Sequence, residues 1–252
     1  MGAADGMETD PARDGGWPVR SVTIDDARLD VFLLDLDASA PDGQDHLTAE
    51  ERHRAERLHR ARDRIRFASR RRLLRRILAA RLELPCESIA FEIGPRGKPR
   101  LRGPLDERLR FNTSHRGRWF VIACGTGRSI GVDLELRRRI PDGKALAERW
   151  LSPRERGEAA RAGHDLDDVG FLRVWCRKEA VMKATGLGLS LDSLSFSVPT
   201  GPNLHDPAIV EFERPRSRTL HLVDVDDPEW PRETWVSICV EATISRAGPA
   251  GT

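Results

Sequence analysis

The segment Ile130-Gly131-Val132-Asp133-Leu134-Glu135-Leu136 constrains this chain more than any other. Its apolar residues alternate strictly, so Ile130, Val132, Leu134 and Leu136 share one face and the segment reads as a half-buried strand. Gly131, Asp133 and Glu135 stand on the other face. Successive same-face residues of a strand lie about 7 Å apart, which sets two carboxylates side by side, next to a position without a side chain. At an effective dielectric of about 20 such a pair repels by about 2 kcal/mol. Two readings fit: a solvated strand face, or a site where a divalent cation turns repulsion into attraction. Oxygen ligands suit Mg²⁺, which takes one or two carboxylates together with waters and substrate phosphates.

With 252 residues the chain can bury one large core or two compact halves. Leu29 to Leu36 reads as a mostly apolar, central strand, and Thr48 with Glu51 forms a capping box that opens a helical region running, with a break, to Leu82. Strands follow at Ser88–Ile93, Leu109–Thr113 and Trp119–Cys124. The turn from Gly94 to Pro99 presents Lys98, and the loop Ser114-His115-Arg116-Gly117-Arg118 offers His115 either to a phosphate or to solvent. After the acidic strand, a helical stretch from Leu146 to Ala162 is interrupted at Ser152-Pro153, where Ser152 and Glu155 repeat the capping pattern. A helix from Asp167 to Thr185 precedes β-rich sequence at residues 194–198, 209–213, 220–225 and 235–242. Both halves thus run strand, helices, strands. The expected fold is α/β (α+β): two similar lobes, residues 19–128 and 129–245, each a mainly antiparallel sheet packed with helices, with a cleft between them. Residues 1–18 are expected to be a disordered tail and residues 246–252 a second, loose one.

Charge narrows the function classes. Net charge is only +2, but residues 52–76 carry 12 arginines against Glu56 and Asp63. That run suits a solvated helix face, a phosphorylated ligand, nucleic acid or an acidic protein. Of 42 basic residues only Lys98, Lys144, Lys178 and Lys183 are lysine, a point charge set among forked ones. No apolar run reaches the ~18 residues of a membrane span. The four scattered cysteines lack metal-ligand spacing and suit a reducing, cytoplasmic setting.

A second motif lies on the helix from Asp167. At 100° per residue Phe171, Trp175 and Met182 fall within about 40° of one another, the buried stripe. Glu179 borders that stripe, where a carboxylate is costly unless paired or metal-bound, and Lys183 follows one turn later in the favourable order for an ion pair. An intrahelical ion pair and a metal-ligating acid both fit. A nucleic-acid-binding protein would use the arginine run but leaves Asp133, Glu135 and Glu179 unexplained. A two-metal nuclease would use the acids, yet aromatics are 6% of the chain with no tyrosine, a poor stacking surface for single strands.

Taken together, Gly131-Val132-Asp133-Leu134-Glu135 and, downstream, Trp175-Cys176-Arg177-Lys178-Glu179-Ala180-Val181-Met182-Lys183-Ala184-Thr185-Gly186 resemble the signature of the Sfp-type 4′-phosphopantetheinyl transferases. Gly97-Lys98-Pro99, Phe111-Asn112-Thr113-Ser114-His115 and the helix holding Arg66, Phe67, Leu74 and Leu78 look like that family as well. Cys176 departs from it, standing where Ser or Thr is usual. The resemblance covers residues 47–190. It implies two pseudo-twofold-related lobes in a monomer and transfer of 4′-phosphopantetheine from coenzyme A to a serine hydroxyl of an acyl or peptidyl carrier protein, an acidic helical domain. Adenosine 3′,5′-bisphosphate is released; no specific nucleic acid and no membrane is involved. By the same resemblance Asp133, Glu135 and Glu179 hold Mg²⁺, and Glu179 serves as general base. Lys183 neutralises charge on the transferred phosphate, with Lys178 nearby. Arg66 and His115 hold the 3′-phosphate, Lys98 and Ser114 line the nucleotide end, and Arg54 belongs to the same region.

Overall fold

The run Leu29–Leu36 lacks a polar face because neither of its faces meets water. In the computed structural model, which describes residues 17–38, 46–163, 166–202, 204–213 and 219–242, it forms most of an interior strand. That strand, β2 (Ala27–Asp35), pairs on one side with β1 (Arg20–Ile24), which sequence reading missed although Val22, Thr23 and Ile24 are β-branched and Asp25-Asp26 makes the turn. Then come α1 (Ala49–Glu56), α2 (Ala61–Leu82), the hairpin of β3 (Phe91–Ile93) and β4 (Pro99–Leu101), the single turn α3 (Leu105–Arg108), and the hairpin of β5 (Arg110–Arg116) and β6 (Trp119–Gly125). The second half holds β7 (Ile130–Leu136), α4 (Gly143–Trp150), α5 (Pro153–Ala162) and α6 (Asp168–Ala184). It ends with β8 (Phe196–Ser197), β9 (Ala208–Ile209), β10 (Glu211–Phe212), β11 (Leu220–Val225) and β12 (Thr234–Glu241).

Each lobe contains a four-stranded antiparallel sheet, ordered β1-β2-β6-β5 in the first and β7-β12-β11-β9 in the second. Strand alternation then builds the layers. Phe32, Leu34 and Leu36 face Leu74, Ile77 and Leu78 of α2, while Leu29, Val31 and Leu33 face Val132, Leu134, Val236 and Ile238 of the second sheet. The second sheet's remaining face, with Leu222 and Cys239, packs on Ala180, Val181 and Ala184 of α6. The result is helix, sheet, sheet, helix, with edge strands β5 and β7 brought alongside each other. Between them the Val132 N–H donates to Asn112 Oδ1 at 2.9 Å, a buried side chain replacing a ladder bond. Trp17, placed in the tail by its sequence, packs instead against the first core with the Arg76 guanidinium over its ring at 4.7 Å. Residues 1–16 and 246–252 of the expected tails lie outside the described residues.

The two lobes also repeat a local device. Both capping boxes form: the Glu51 N–H donates to Thr48 Oγ1 at 3.2 Å and the Glu155 N–H to Ser152 Oγ at 3.2 Å. In each lobe the capping glutamate also receives a cation from the long helix behind it. Glu51 binds Arg71 and Arg75 of α2, and Glu155 binds Lys178 of α6. One carboxylate therefore both starts a short helix and fastens it to a long one.

The tightest contact joins α6 to β7 at Gly131. A Cβ there would lie 2.0 Å from the Ala180 carbonyl oxygen and 2.3 Å from the Ala184 nitrogen, both backbone atoms that cannot step aside. Gly131→Ala is therefore expected to overpack this contact and destabilise the protein by about 3 kcal/mol or more. A urea midpoint within error of wild type would contradict this.

Candidate active site

Because α6 lies directly on β7, its last turns sit over the carboxylates that follow Gly131. Lys183 Nζ donates to Asp133 Oδ1 at 2.6 Å, to Ser114 Oγ at 3.0 Å and to the Val132 carbonyl at 3.1 Å. Ser114, on β5 of the other lobe, donates to the same Asp133 oxygen at 2.7 Å. Asp133 and Glu135 are only 5% and 7% exposed, so the strand face is covered and not solvated. Glu135 faces Arg116 at 3.3 Å and Arg138 at 3.7 Å, two partners sequence reading missed. Its Oε2 nevertheless accepts no hydrogen bond among the described residues.

The electrostatics record this shortfall. Burial raises the Glu135 carboxyl above its ordinary value, with Asp133 reinforcing the shift and Arg116 opposing it. Burial raises Glu179 likewise, reinforced by Asp133 and Glu135 and opposed by Lys183. The three acids thus lie within one another's field. They are not yet gathered as a cage: among the described residues no group of three or more His, Cys, Asp or Glu stands close enough to hold a metal ion. Their chemistry still fits one. Two carboxyls kept short of compensation, one with a buried oxygen lacking a donor, are what a hard divalent cation satisfies.

Beyond β5 the first lobe supplies a basic wall. His115 is exposed, yet the loss of surrounding solvent beside the wall, then Arg70, Lys183 and Arg116, push it down to about 4, leaving a neutral imidazole near pH 7. Arg66 donates to both carboxylate oxygens of Asp37, at 2.8 and 2.6 Å. Arg70, one turn on, has no hydrogen-bond partner for its buried Nε among the described residues. Burial and then Arg54 and Arg71 push it down to about 10, so it stays cationic near neutral pH. Arg54 and Arg70 both lie over the Phe67 ring, at 5.6 and 5.9 Å. Arg70 is the wall cation that His115 feels most.

Two lysines occupy other places than their sequence suggested. Lys178 does not reach the cleft: it is 0% exposed, and Nζ donates to Glu155 Oε1 and Oε2 at 2.7 and 2.8 Å and to the Phe196 carbonyl at 3.0 Å. It occupies the position in the second lobe that Arg75 holds in the first, which the run of charges on the helix could not reveal. Lys98 is turned into the junction between lobes, where its ammonium meets three protein oxygens.

A family model described as the 4′-phosphopantetheinyl transferase superfamily matches residues 129–236, and one described as 4′-phosphopantetheinyl transferase, N-terminal, matches residues 43–127. The chain is 35% identical over 159 residues to the 4′-phosphopantetheinyl transferase HetI of a Nostoc species, covering 62% of this chain and 67% of that one. A Bacillus subtilis 4′-phosphopantetheinyl transferase is 32% identical over 169 residues, covering 67% and 71%. The L-aminoadipate-semialdehyde dehydrogenase-phosphopantetheinyl transferase of Xenopus laevis is 27% identical over 173 residues, covering 64% and 55%. The matched stretches therefore span 55–71% of these relatives' own lengths. The chain belongs to the 4′-phosphopantetheinyl transferase superfamily, and within it to the Sfp type.

The Lys178–Glu155 pair gives a direct check on placement. Glu155→Gln leaves an ammonium buried without its counter-charge, which is expected to cost about 3–5 kcal/mol. In protein that remains folded, coenzyme A affinity should not change. Reduced affinity at unchanged stability would return Lys178 to the ligand site.

Proposed function

We propose that this chain transfers the 4′-phosphopantetheine group of coenzyme A to a serine hydroxyl of an apo carrier protein, releasing adenosine 3′,5′-bisphosphate. The observation that carries the reading is the convergence of Asp133, Glu135, Glu179 and Lys183 between β7 and α6, beside a wall of arginines and a neutral histidine. The serine oxygen bonds to the phosphorus on the pantetheine side, and the phosphoanhydride oxygen on the nucleotide side leaves with the electron pair. Asp133, Glu135 and Glu179 would hold Mg²⁺, which when bound neutralises the pyrophosphate and makes its phosphorus electrophilic.

The protein's own groups have separate tasks. Glu179 takes the serine proton directly or through a water. Lys183, now bonded to Asp133, offers its ammonium to the transferred phosphate. Ser114 lies at the nucleotide end and keeps Asp133 oriented. His115 with Arg66 and Arg70 grips the 3′-phosphate, His115 as a neutral donor and the arginines as cations, while Arg54 adds charge behind them. The lobe division at residues 128 and 129 then separates a nucleotide-binding half from a half bearing the acids. Both are in one chain, so a monomer suffices. Four cysteines that form no disulfide among the described residues are in keeping with a cytoplasmic enzyme.

Intact-mass analysis of an apo carrier protein incubated with this protein, coenzyme A and Mg²⁺ tests the reaction; the expected result is a gain of one phosphopantetheine. Glu179→Gln is expected to abolish that gain while raising the melting temperature of the metal-free protein. The sign follows from the raised pKa: the folded state resists the carboxylate form, so stability falls as pH rises through the shifted value, and the neutral amide removes that loss. One kcal/mol corresponds to about 2–4 °C at this size. A variant both active and less stable would remove Glu179 from the site.

Asp37 tests the 3′-phosphate grip. Arg66 must leave Asp37 to bind phosphate, so Asp37→Asn is expected to tighten coenzyme A and leave dephospho-coenzyme A unaffected. Wild type should favour coenzyme A by about 1.5–3 kcal/mol per charge-assisted bond lost. If Asp37→Asn binds both ligands as wild type does and Arg70→Ala abolishes the preference, Arg70 carries the contact without Arg66.

A further inference from the structure

Lys98 sits on the turn between β3 and β4 in the first lobe, but its side chain ends in the second. Nζ donates to the Ile130 carbonyl at 2.8 Å, the Lys183 carbonyl at 2.8 Å and Ser129 Oγ at 3.3 Å. An ammonium has three hydrogens, and all three are engaged. Ser129 Oγ in turn donates to the Ala184 carbonyl at 2.5 Å. Lys183 and Ala184 are the last two residues of α6, whose terminal carbonyls lack partners within the helix and form the negative end of its dipole. A helix usually obtains its C-terminal cation from its own last turn. Here the last turn has its own cation, Lys183, but that side chain is turned to Asp133. The Lys183 carbonyl, which also accepts from the Gly186 N–H at 3.1 Å, takes an ammonium from the opposite lobe that is shared with the first residue of β7.

The turn is shaped for this reach. Gly97 adopts φ +85°, and the Gly94 N–H donates to the Lys98 carbonyl at 2.9 Å, so the backbone is closed just where the side chain departs. Among the described residues Lys98 is bonded only to neutral oxygens, with no carboxylate in contact. Burial, then Arg110, push it down to about 8 against the opposing pull of Cys239, Asp106 and Glu241. An ammonium desolvated in this way is a net cost to the fold unless it fixes something.

We propose that Lys98 is a positioning residue, an ammonium from the first lobe that caps α6 and pins its end to β7, setting Lys183 against Asp133, and that it does not contact the nucleotide. The kinetic part rests on the transferase reading; the structural part does not.

Two readouts separate these. Hydrogen exchange of the backbone amides of residues 181–187 is measured for wild type, Lys98→Met, Lys98→Arg and Ser129→Ala in the absence of ligand. Coenzyme A Kd and the carrier-modification kcat are measured on the same proteins. Lys98→Met is expected to speed exchange in that segment by about tenfold and Ser129→Ala by about threefold, with Lys98→Arg restoring part of the protection. Coenzyme A Kd should stay within about threefold of wild type while kcat falls about tenfold or more. A rise in Kd of about tenfold with unchanged exchange would overturn the proposal and make Lys98 a ligand contact. If Lys98→Met fails to fold, Lys98→Arg decides: unchanged exchange in that variant overturns the proposal, and faster exchange upholds it. If wild type modifies no carrier, the transferase reading falls and the exchange result alone decides the role of Lys98.

Discussion

The distance between α6 and β7 is the constraint on which the rest of this protein depends. Gly131 sets it from the strand side, and Ala180 and Ala184 set it from the helix side. Backbone against backbone is the closest approach two elements can make, and it carries the side chains one turn either way into reach of the strand's carboxylates. With a wider gap Lys183 would meet solvent, and Asp133 would be an unpaired buried charge.

The covered face of the second sheet is a row of acids answered by cations from one helix. Asp133, Ser237 and Asp224 lie opposite one another across β7, β12 and β11. Lys183 answers Asp133, and Arg177 answers Asp224, whose carboxylate also accepts from Ser237 at 2.8 Å. Arg177 is fully buried and bonds the Pro199 and Gly201 carbonyls as well, so its end of the row is saturated. The other end is not: Glu135 and Glu179 are raised and only partly compensated. Helix and sheet are thus locked together at Asp224, while Glu135 and Glu179 at the other end are left partly uncompensated. Under the proposed function, that asymmetry would separate the structural part of the helix from the reactive one.

Much of this was legible in the sequence because periodicity reports faces. The alternation through Ile130–Leu136 identified the strand, its buried side and the two acids. The caps at Thr48 and Ser152 marked helix starts that the structure reproduces at Ala49 and Pro153. Periodicity does not report partners across the fold. Glu155 and Lys178 are 23 residues apart, and nothing local says that one capping glutamate will also swallow the next helix's lysine. The Arg66–Asp37 pair and the crossing of Lys98 between lobes were hidden for the same reason. The strand β1 was a different kind of miss: its alternation was present, but short, polar at its start and overshadowed by the Gly- and Asp-rich sequence before it.

The central claim is that Asp133, which bonds Lys183 and Ser114, Glu135, which faces Arg116, and Glu179 together hold one divalent cation. Anomalous scattering from crystals grown with Mn²⁺ and coenzyme A tests it most directly. The account predicts a single strong peak bounded by carboxylate oxygens of Asp133, Glu135 and Glu179, absent in Glu179→Gln. No peak between β7 and α6 in crystals that show bound coenzyme A, or a peak there unaffected by that substitution, would contradict it.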